Sequence, residues 1–308
     1  MKRQFIGVDI GGTSIKLGSV DEGTIIDRME IEYRDMMGDK TVMDIVVEGI
    51  RDFTGGDISG FSGIGVSAAG CIDSVSGKVA ENGGNIPGWS REDICGRLRE
   101  EFGIGAAAAN DANCALLGEL WSGAANGYNH VIGVTVGTGV GGGIITNGRL
   151  LEGARGFGGE IGHTPTHAGG IQCKCGMQGC FERYASTSAL IRTAVDINPG
   201  WDSGRKLFAA AAENDEMAIK VIDDWTDEVA AGVAGLIHIF NPELVLIGGG
   251  VSHQKELFVD PLKDKVLSMI MPDFRDGLEF KPAALGNNAG IIGAVYYYLS
   301  KENYSRFM

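Results

Sequence analysis

A strand-and-turn pattern occurs twice in this chain, and a repeat of that kind restricts the fold more than any single motif does. Ile6-Gly7-Val8 followed by Gly11-Gly12-Thr13 is echoed by Ile132-Gly133-Val134 followed by Gly137-Thr138-Gly139, with strand and turn in the same register. Each copy is an apolar strand that turns through glycines into a second strand. The pair suggests a duplicated domain, two lobes facing each other over a cleft, although short Gly-rich turns also resemble one another by chance. A chain of 308 residues is long enough for two domains with a core each. In such a turn successive N–H groups point outward and form an anion-binding nest. At the first turn Thr13 and Lys16 would add a hydroxyl and a cation, and Asp9, at the strand end, is placed to hold a magnesium-bound water. The same residues also describe a plain hairpin with a tight Gly-Gly turn.

Composition narrows the class. Apolar residues at 44% and charged ones at 21% are ordinary for a soluble globular protein. The net charge of −14 repels nucleic acid and anionic membranes, so an anionic ligand would need a local counter-field. Apolar runs fall short of a membrane span and no signal-peptide segment fits before Asp9, which predicts a cytoplasmic protein. The 50 glycines gather in short runs, as backbone approaching ligands would require, rather than spreading as a linker.

The segment from Glu160 to Arg183 concentrates the remaining chemistry. His163, Cys173, Cys175 and Cys180 form a Cys₃His set of the number that closes a tetrahedral zinc site. Gly176 and Gly179 lie where a chain doubling back around an ion needs residues tolerant of positive φ. One disulfide plus a spare thiol is the other reading, which a reducing compartment disfavours. A knot this small has no core of its own, so the metal would supply its folding energy and hold Glu160, His163 and Glu182 in place.

Elsewhere Thr41 to Phe53 has the spacing of an amphipathic helix, and Gly63 to Ala68 reads as a buried strand. The loop Asn82 to Trp89 is either turn chemistry or a place that presents Asn85 to a hydroxyl-rich ligand. Ser90, with Asp93 three residues on, opens the next helix. The strand Gly105 to Ala109 ends in Asn110-Asp111-Ala112-Asn113. Asp111 is either the N-cap of the helix that follows or a carboxylate held at a strand end, where open α/β sheets bind ligands. A long helix runs between Ala218 and Phe240. The strand Glu243 to Ile247 leads through Gly248-Gly249-Gly250 to a further helix, a second place for amides and a helix N-terminus to meet a nucleotide. Strand-like Leu278 to Leu285 and a helix from Asn287 through Tyr298 follow.

Taken together, DIGGTSIK at 9–16, GNIPGW at 84–89, NDAN at 110–113, GTGVGGG at 137–143, EIGH at 160–163 and CKCGMQGCFE at 173–182 resemble the ROK family of sugar kinases, and within it most resemble the bacterial glucokinases. The resemblance implies an α/β, actin-like ATPase (ribonuclease H-like) fold with two lobes around a cleft and a small zinc knot. Residues 1–110 would form a small lobe, joined by a C-terminal helix at 289–308, and 111–288 a large lobe carrying the knot at 160–183. The implied reaction is ATP-dependent phosphorylation of a hexose at its primary hydroxyl, with Asp111 as general base. Glucose is the first expectation, then N-acetylmannosamine, then N-acetylglucosamine, fructose or a β-glucoside. Asn85, Asn110, Asp111, Glu160, His163 and Glu182 would bind the sugar, with His163 shared between sugar and zinc. Asp9, Gly11, Gly12, Thr13, Lys16, Thr138 and Gly139 would serve ATP and Mg²⁺, and Gly248, Gly249 and Gly250 would pass beneath the adenosine.

The family also suggests a homodimer. One departure is Ala69-Gly70, where many relatives carry Pro-Gly, beside the expected sugar pocket. A sugar-responsive transcription regulator is a rival reading, but its relatives carry an N-terminal helix-turn-helix, whereas the phosphate motif here begins within the first ten residues, and the acidic balance argues against DNA. A non-catalytic scaffold with an interaction zinc module would have lost Asp111 or the phosphate turns, and all are present.

Overall fold

The structure is a computed structural model that describes residues 4–35, 37–80, 86 and 88–305. The strands are β1 (Gln4–Ile10), β2 (Ser14–Asp21), β3 (Thr24–Glu32), β4 (Phe61–Ala68), β5 (Ala106–Asn110), β6 (Val131–Val136), β7 (Val140–Thr146), β8 (Arg149–Leu150), β9 (Leu244–Gly248) and β10 (Glu279–Pro282). The helices are α1 (Val42–Phe53), α2 (Ile94–Phe102), α3 (Asp111–Ser122), α4 (Glu182–Ala185), α5 (Thr187–Ile197), α6 (Gly204–Ala212), α7 (Glu216–Phe240), α8 (Asp260–Met269) and α9 (Ala289–Ser305). None of them is long and apolar enough to cross a membrane, among the described residues.

The chain divides into two compact units. The first comprises residues up to Gly127, Leu150–Gly159 and residues from Ala284 onward; the second is Tyr128–Arg149 with Glu160–Ala283. The first sheet has the order β3-β2-β1-β4-β5, with β1 antiparallel to β2 and parallel to β4, and β4 parallel to β5. The second has the order β10-β9-β6-β7-β8, with β6 antiparallel to β7 and parallel to β9, and β9 parallel to β10. The second order, read from β8, is the first again: a hairpin extended by two parallel strands. The repeated strand-and-turn pattern is therefore the leading hairpin of a repeated sheet.

Local signals account for most elements of the first unit. Thr41 and Asp44 form a reciprocal capping box, Thr41 Oγ1 accepting from the Asp44 N–H at 3.1 Å and Asp44 accepting from the Thr41 N–H at 2.9 Å. The helix α1 that they open buries Val42, Met43, Val46 and Ile50 in the core with Ile6, Val8, Leu17 and Ile64. The helix α9 approaches β1 and β4 so closely that a Cβ at Gly7 or Gly65 would run into the carbonyls of Ile291 and Ala294. Glycine at those two positions is a packing requirement. Close packing of α3 on α9 draws α3 into the first unit, as Gly118 and Gly293 permit. The lobe boundary expected after residue 110 thus falls differently, with α3 and residues 150–159 grouped with the amino-terminal sheet. The buried Glu119 accepts from the N–H groups of Ala124, Ala284 and Leu285 at 2.7–2.8 Å, which ties the end of α3 to the segment leading into α9.

Four boundaries differ from the sequence reading. The helix α2 begins at Ile94 and is capped by Asp93, which accepts from the Gly96 N–H at 2.8 Å. It cannot begin at Ser90, because Arg91 holds φ 61°. The strand β10 ends at Pro282, with one further rung from the Ala283 N–H to Ile247 O at 2.8 Å, and α9 starts at Ala289 after a 3₁₀ turn at Gly286–Asn288. After β9 the glycines lead into a 3₁₀ turn at Gly250–His253, while α8 waits until Asp260.

Candidate active site

In the first unit, three parallel strands end together. Register pairs Asp9 of β1 with Ser67 of β4, and Ala68 of β4 with Asn110 of β5, so Asp9, Asn110 and Asp111 emerge from the carboxyl edge where open α/β sheets bind ligands. Ser67 Oγ donates to Asp9 Oδ1 at 2.6 Å, and Lys16 Nζ lies 3.8 Å from the other oxygen. Burial raises the Asp9 carboxyl above its usual value, and the Ser67 hydrogen bond and the Lys16 charge offset part of that rise. Lys16 pairs with Asp9 across the hairpin, so its ammonium sits at the strand end. The Gly11-Gly12-Thr13 turn is the tip of a true hairpin: the Gly11 N–H donates to Ser14 O at 3.0 Å, and Tyr33 Oη donates to Gly11 O at 2.9 Å. Among the described residues, no atom beyond its chain neighbours lies within 4 Å of where a Gly12 Cβ would be.

Asn110, not Asp111, caps α3. Its Oδ1 accepts from the N–H groups of Ala112 and Asn113 at 2.9 and 3.2 Å, and its amide donates to Gly70 O at 3.1 Å. That leaves one amide hydrogen for a ligand. Asp111 is the first helical residue, exposed, with Oδ1 accepting the Ala112 N–H at 2.8 Å. The Ala69-Gly70 departure is the floor of this region, since Trp89 Nε1 also donates to Ala69 O at 3.1 Å. Asn85 lies outside the described residues.

In the second unit the corresponding strand ends carry the other glycine turns. The turn Gly137-Thr138-Gly139 joins β6 to β7 and is closed by the Gly137 N–H donating to Gly139 O at 2.9 Å. Gly248 pairs in register with Thr135, so Gly248, Gly249 and Gly250 leave β9 beside that turn. Gly249 holds φ 87°, with the Val136 backbone where its Cβ would be. Glu182, the first residue of α4, reaches the same place: a Cβ on Gly139 would come 2.7 Å from Glu182 Oε2.

His163, at the end of a 3₁₀ turn that Glu160 opens, faces the thiols through Nδ1. One ligand atom each from His163, Cys173, Cys175 and Cys180 lies within 4.8 Å of the others. His163 Nδ1 is 3.8 Å from Cys173 Sγ, and Cys175 Sγ is 3.5 Å from Cys180 Sγ. Tetrahedral zinc with bonds of about 2.0–2.3 Å places its ligands roughly 3.5–3.8 Å apart, so the donor set fits that ion. No cysteine is in a disulfide among the described residues. Burial and the neighbouring Glu182 carboxylate push the Cys173 thiol up to about 12, and it donates to Glu182 Oε1 at 3.0 Å. Glu182 Oε1 is also 3.9 Å from His163 Nδ1. Cys175, held below the usual thiol value by the Met177 N–H and its sulfur neighbours despite burial, supplies the readiest thiolate.

Sequence reasoning missed Ser67 and Thr187. Ser67 is the one hydroxyl in the buried run Gly63–Ala68 of β4, which is the signal that could have found it. Thr187 Oγ1 and N–H both donate to Gly137 O, at 2.6 and 2.8 Å, and nothing in its local sequence announces that.

Paired sheets of one topology, each with a glycine turn at its leading hairpin, are the architecture of the actin-like ATPase fold. The sequence model described as the ROK family matches residues 5–301, and the chain belongs to that family. It is 37% identical to a glucokinase of Thermotoga maritima, over 95% of this chain and 96% of that one. A ROK family glucokinase from Streptomyces griseus, solved in complex with glucose and AMPPNP, is 33% identical with a TM-score of 0.77, covering 94% of this chain and 97% of that one. A ROK hexokinase from Thermus thermophilus is 31% identical with a TM-score of 0.83, covering 97% and 99%.

Proposed function

We propose that this chain is an ATP-dependent hexose kinase that phosphorylates the primary hydroxyl of glucose. The observation that carries the reading is where the chain places Asp111: Asn110 caps α3, and Asp111, the exposed first residue of that helix, stands at the same carboxyl edge of the sheet as Asp9. The glucokinase relatives, one of them solved with glucose and an ATP analogue, agree with it.

Asp111 takes the hydroxyl proton as the sugar oxygen attacks the γ-phosphorus; the bond to the β–γ bridging oxygen breaks and ADP leaves. Phosphoryl transfer asks a protein mainly for positioning and charge stabilisation, which one carboxylate and two amide turns can provide. The turns at Gly11-Gly12-Thr13 and Thr138-Gly139 hold phosphate oxygens, and Gly248 to Gly250 line the nucleoside. Glu160 and Glu182 accept hydrogen bonds from sugar hydroxyls. His163, with Nδ1 turned to the thiols, keeps Nε2 for the sugar. Asp9 would orient a water of the Mg²⁺ that accompanies ATP, and that ion would neutralise charge on the transferring phosphoryl group. His163, Cys173, Cys175 and Cys180 would hold a zinc ion, which would supply folding energy to the segment that carries Glu160 and Glu182.

Asp9 has to be ionised for that task. A carboxyl whose pKa is raised takes up its proton sooner as pH falls, so activity is expected to decline on the acid side above the ordinary carboxylate range. Ser67→Ala removes a hydrogen bond that favours the ionised form, and the acid limb of kcat/KM should move to higher pH. An unmoved limb would remove Asp9 from the pH profile.

The proposed activity is tested by ADP release from magnesium-ATP against glucose, N-acetylmannosamine, N-acetylglucosamine and fructose. Strong glucose-dependent release, absent in Asp111→Asn, is the expected result. Turnover equal with and without sugar, or none on any sugar in zinc-loaded protein, would overturn it.

A further inference from the structure

The turn at Gly137–Gly139 has almost nothing of its own to hold it. Among the described residues, no atom beyond its chain neighbours lies within 4 Å of where a Gly137 Cβ would be, and the turn is closed by the bond from the Gly137 N–H to Gly139 O. Its orientation is supplied from the start of α5. Thr187 donates twice to Gly137 O, through Oγ1 at 2.6 Å and through N–H at 2.8 Å, using both lone pairs of that carbonyl. The hydroxyl is available for this because the neighbouring Ser186 does the capping: Ser186 Oγ accepts from the Ala189 N–H at 3.1 Å.

Thr187 is itself firmly placed. Trp225 Nε1 of α7 donates to Ser186 O at 3.2 Å, and the Phe181 ring lies against Gly232 of the same helix, where a Cβ would collide with it. Both Trp225 and Phe181 are buried. Residues 181 to 187 are thus held to α7 at both ends, and from this strip Glu182 and Thr187 reach the two sides of the glycine turn.

One consequence follows from peptide geometry. In a planar trans peptide the C=O and the following N–H point in opposite directions. With Gly137 O drawn onto Thr187, the Thr138 N–H is aimed away from α5. A flip of that peptide, which glycine at 137 would otherwise permit, would present an oxygen to an incoming phosphate where an N–H is needed. We propose that Thr187 is the positioning residue that locks the Gly137–Thr138 peptide, keeping the Thr138 N–H turned toward a phosphate oxygen of the nucleotide. This rests on the proposed role of the turn as a phosphate site.

The test compares Thr187→Val, which keeps the shape and the backbone N–H but loses the hydroxyl, with Thr187→Ser, which keeps both donors. Binding of AMPPNP and of adenosine is measured by calorimetry on each full-length variant in the absence of sugar, so no turnover is needed. The Val variant is expected to bind AMPPNP about 3- to 10-fold more weakly, the range of one hydrogen bond. Adenosine affinity should be unchanged and the Ser variant should match the wild type. Equal weakening for AMPPNP and adenosine would make Thr187 merely structural, and an unchanged Val variant would also overturn the proposal. If Thr187→Val does not fold, Thr187→Ala removes the same donor and is read in the same way. Phosphate-selective weakening in a protein that phosphorylates no sugar would uphold Thr187 while refuting the kinase; a wild type that does not bind AMPPNP would refute both.

Discussion

Asp111→Asn is expected to lower kcat for glucose phosphorylation by roughly 10²- to 10⁴-fold, the range a positioned general base contributes. The fold should hardly register the change. Asp111 is exposed at the first position of α3, and asparagine keeps its size and its acceptor for the Ala112 N–H. What is lost structurally is an anion at a helix N-terminus, about 0.3–1 kcal/mol, or a few degrees of Tm at most. Asn110→Ala should behave in the opposite sense. It removes the cap of α3 and the tie to Gly70, so stability falls by about 1 kcal/mol or more. The two adjacent substitutions therefore separate: Asp111→Asn costs kcat with little change in melting temperature, whereas Asn110→Ala costs melting temperature together with the sugar contact of its amide. Measuring both quantities for both variants checks the assignment, and an Asp111→Asn enzyme that retains more than about a tenth of wild-type kcat would falsify it.

Metal removal is the second large effect. Segment 160–182 buries few apolar side chains, Ile161 and Phe181 chief among them, and its internal pairing consists of turn hydrogen bonds, such as the Cys173 N–H to Met177 O at 2.8 Å, and isolated bridges such as Gln172 with Gln178. Structural zinc supplies on the order of 10–16 kcal/mol in small isolated knots, far more than those contacts. Purified protein is expected to contain one zinc per chain. Chelation should raise the KM for glucose by at least about tenfold and open residues 164–180 to proteolysis, and Cys180→Ala should do the same.

Part of the loss has a specific cause. Without the ion, Cys173 keeps its proton, since burial and Glu182 push its thiol up to about 12, and it donates to Glu182 Oε1 at 3.0 Å. That engages the carboxylate proposed to meet the sugar. Zinc must displace this proton, so its affinity should fall as pH falls. A metal-free protein with unchanged glucose KM would show that the knot has no part in sugar binding.

Much of this arrangement was legible in the sequence because its signals are local. The echo of Ile6 to Thr13 in Ile132 to Gly139 foretold two sheets of one topology. The compressed spacing of Cys173, Cys175 and Cys180 foretold a cluster, and the apolar spacing from Thr41 to Phe53 an amphipathic helix. What escaped depends on partners far away in the chain. Ser67 meets Asp9 only through strand register, Thr187 meets Gly137 only after α7 has placed Ser186, and Glu119 gathers N–H groups from two distant segments. Asn110 and Asp111 are both good caps, and the backbone at the end of β5, not side-chain type, decides between them. The segment after Gly250 misled because a glycine run before an apolar stretch suits a 3₁₀ turn as well as an α-helix.

The seat of α9 has a bearing on how the protein is made. The glycines that admit it belong to β1 and β4, which are synthesised more than 200 residues before the helix that fills them. A chain interrupted after β10 would still carry one face of its first sheet uncovered. Acquisition of the first unit therefore waits on a contact between residues near opposite ends of the sequence, the kind of closure that slows folding and leaves apolar surface open to other chains meanwhile.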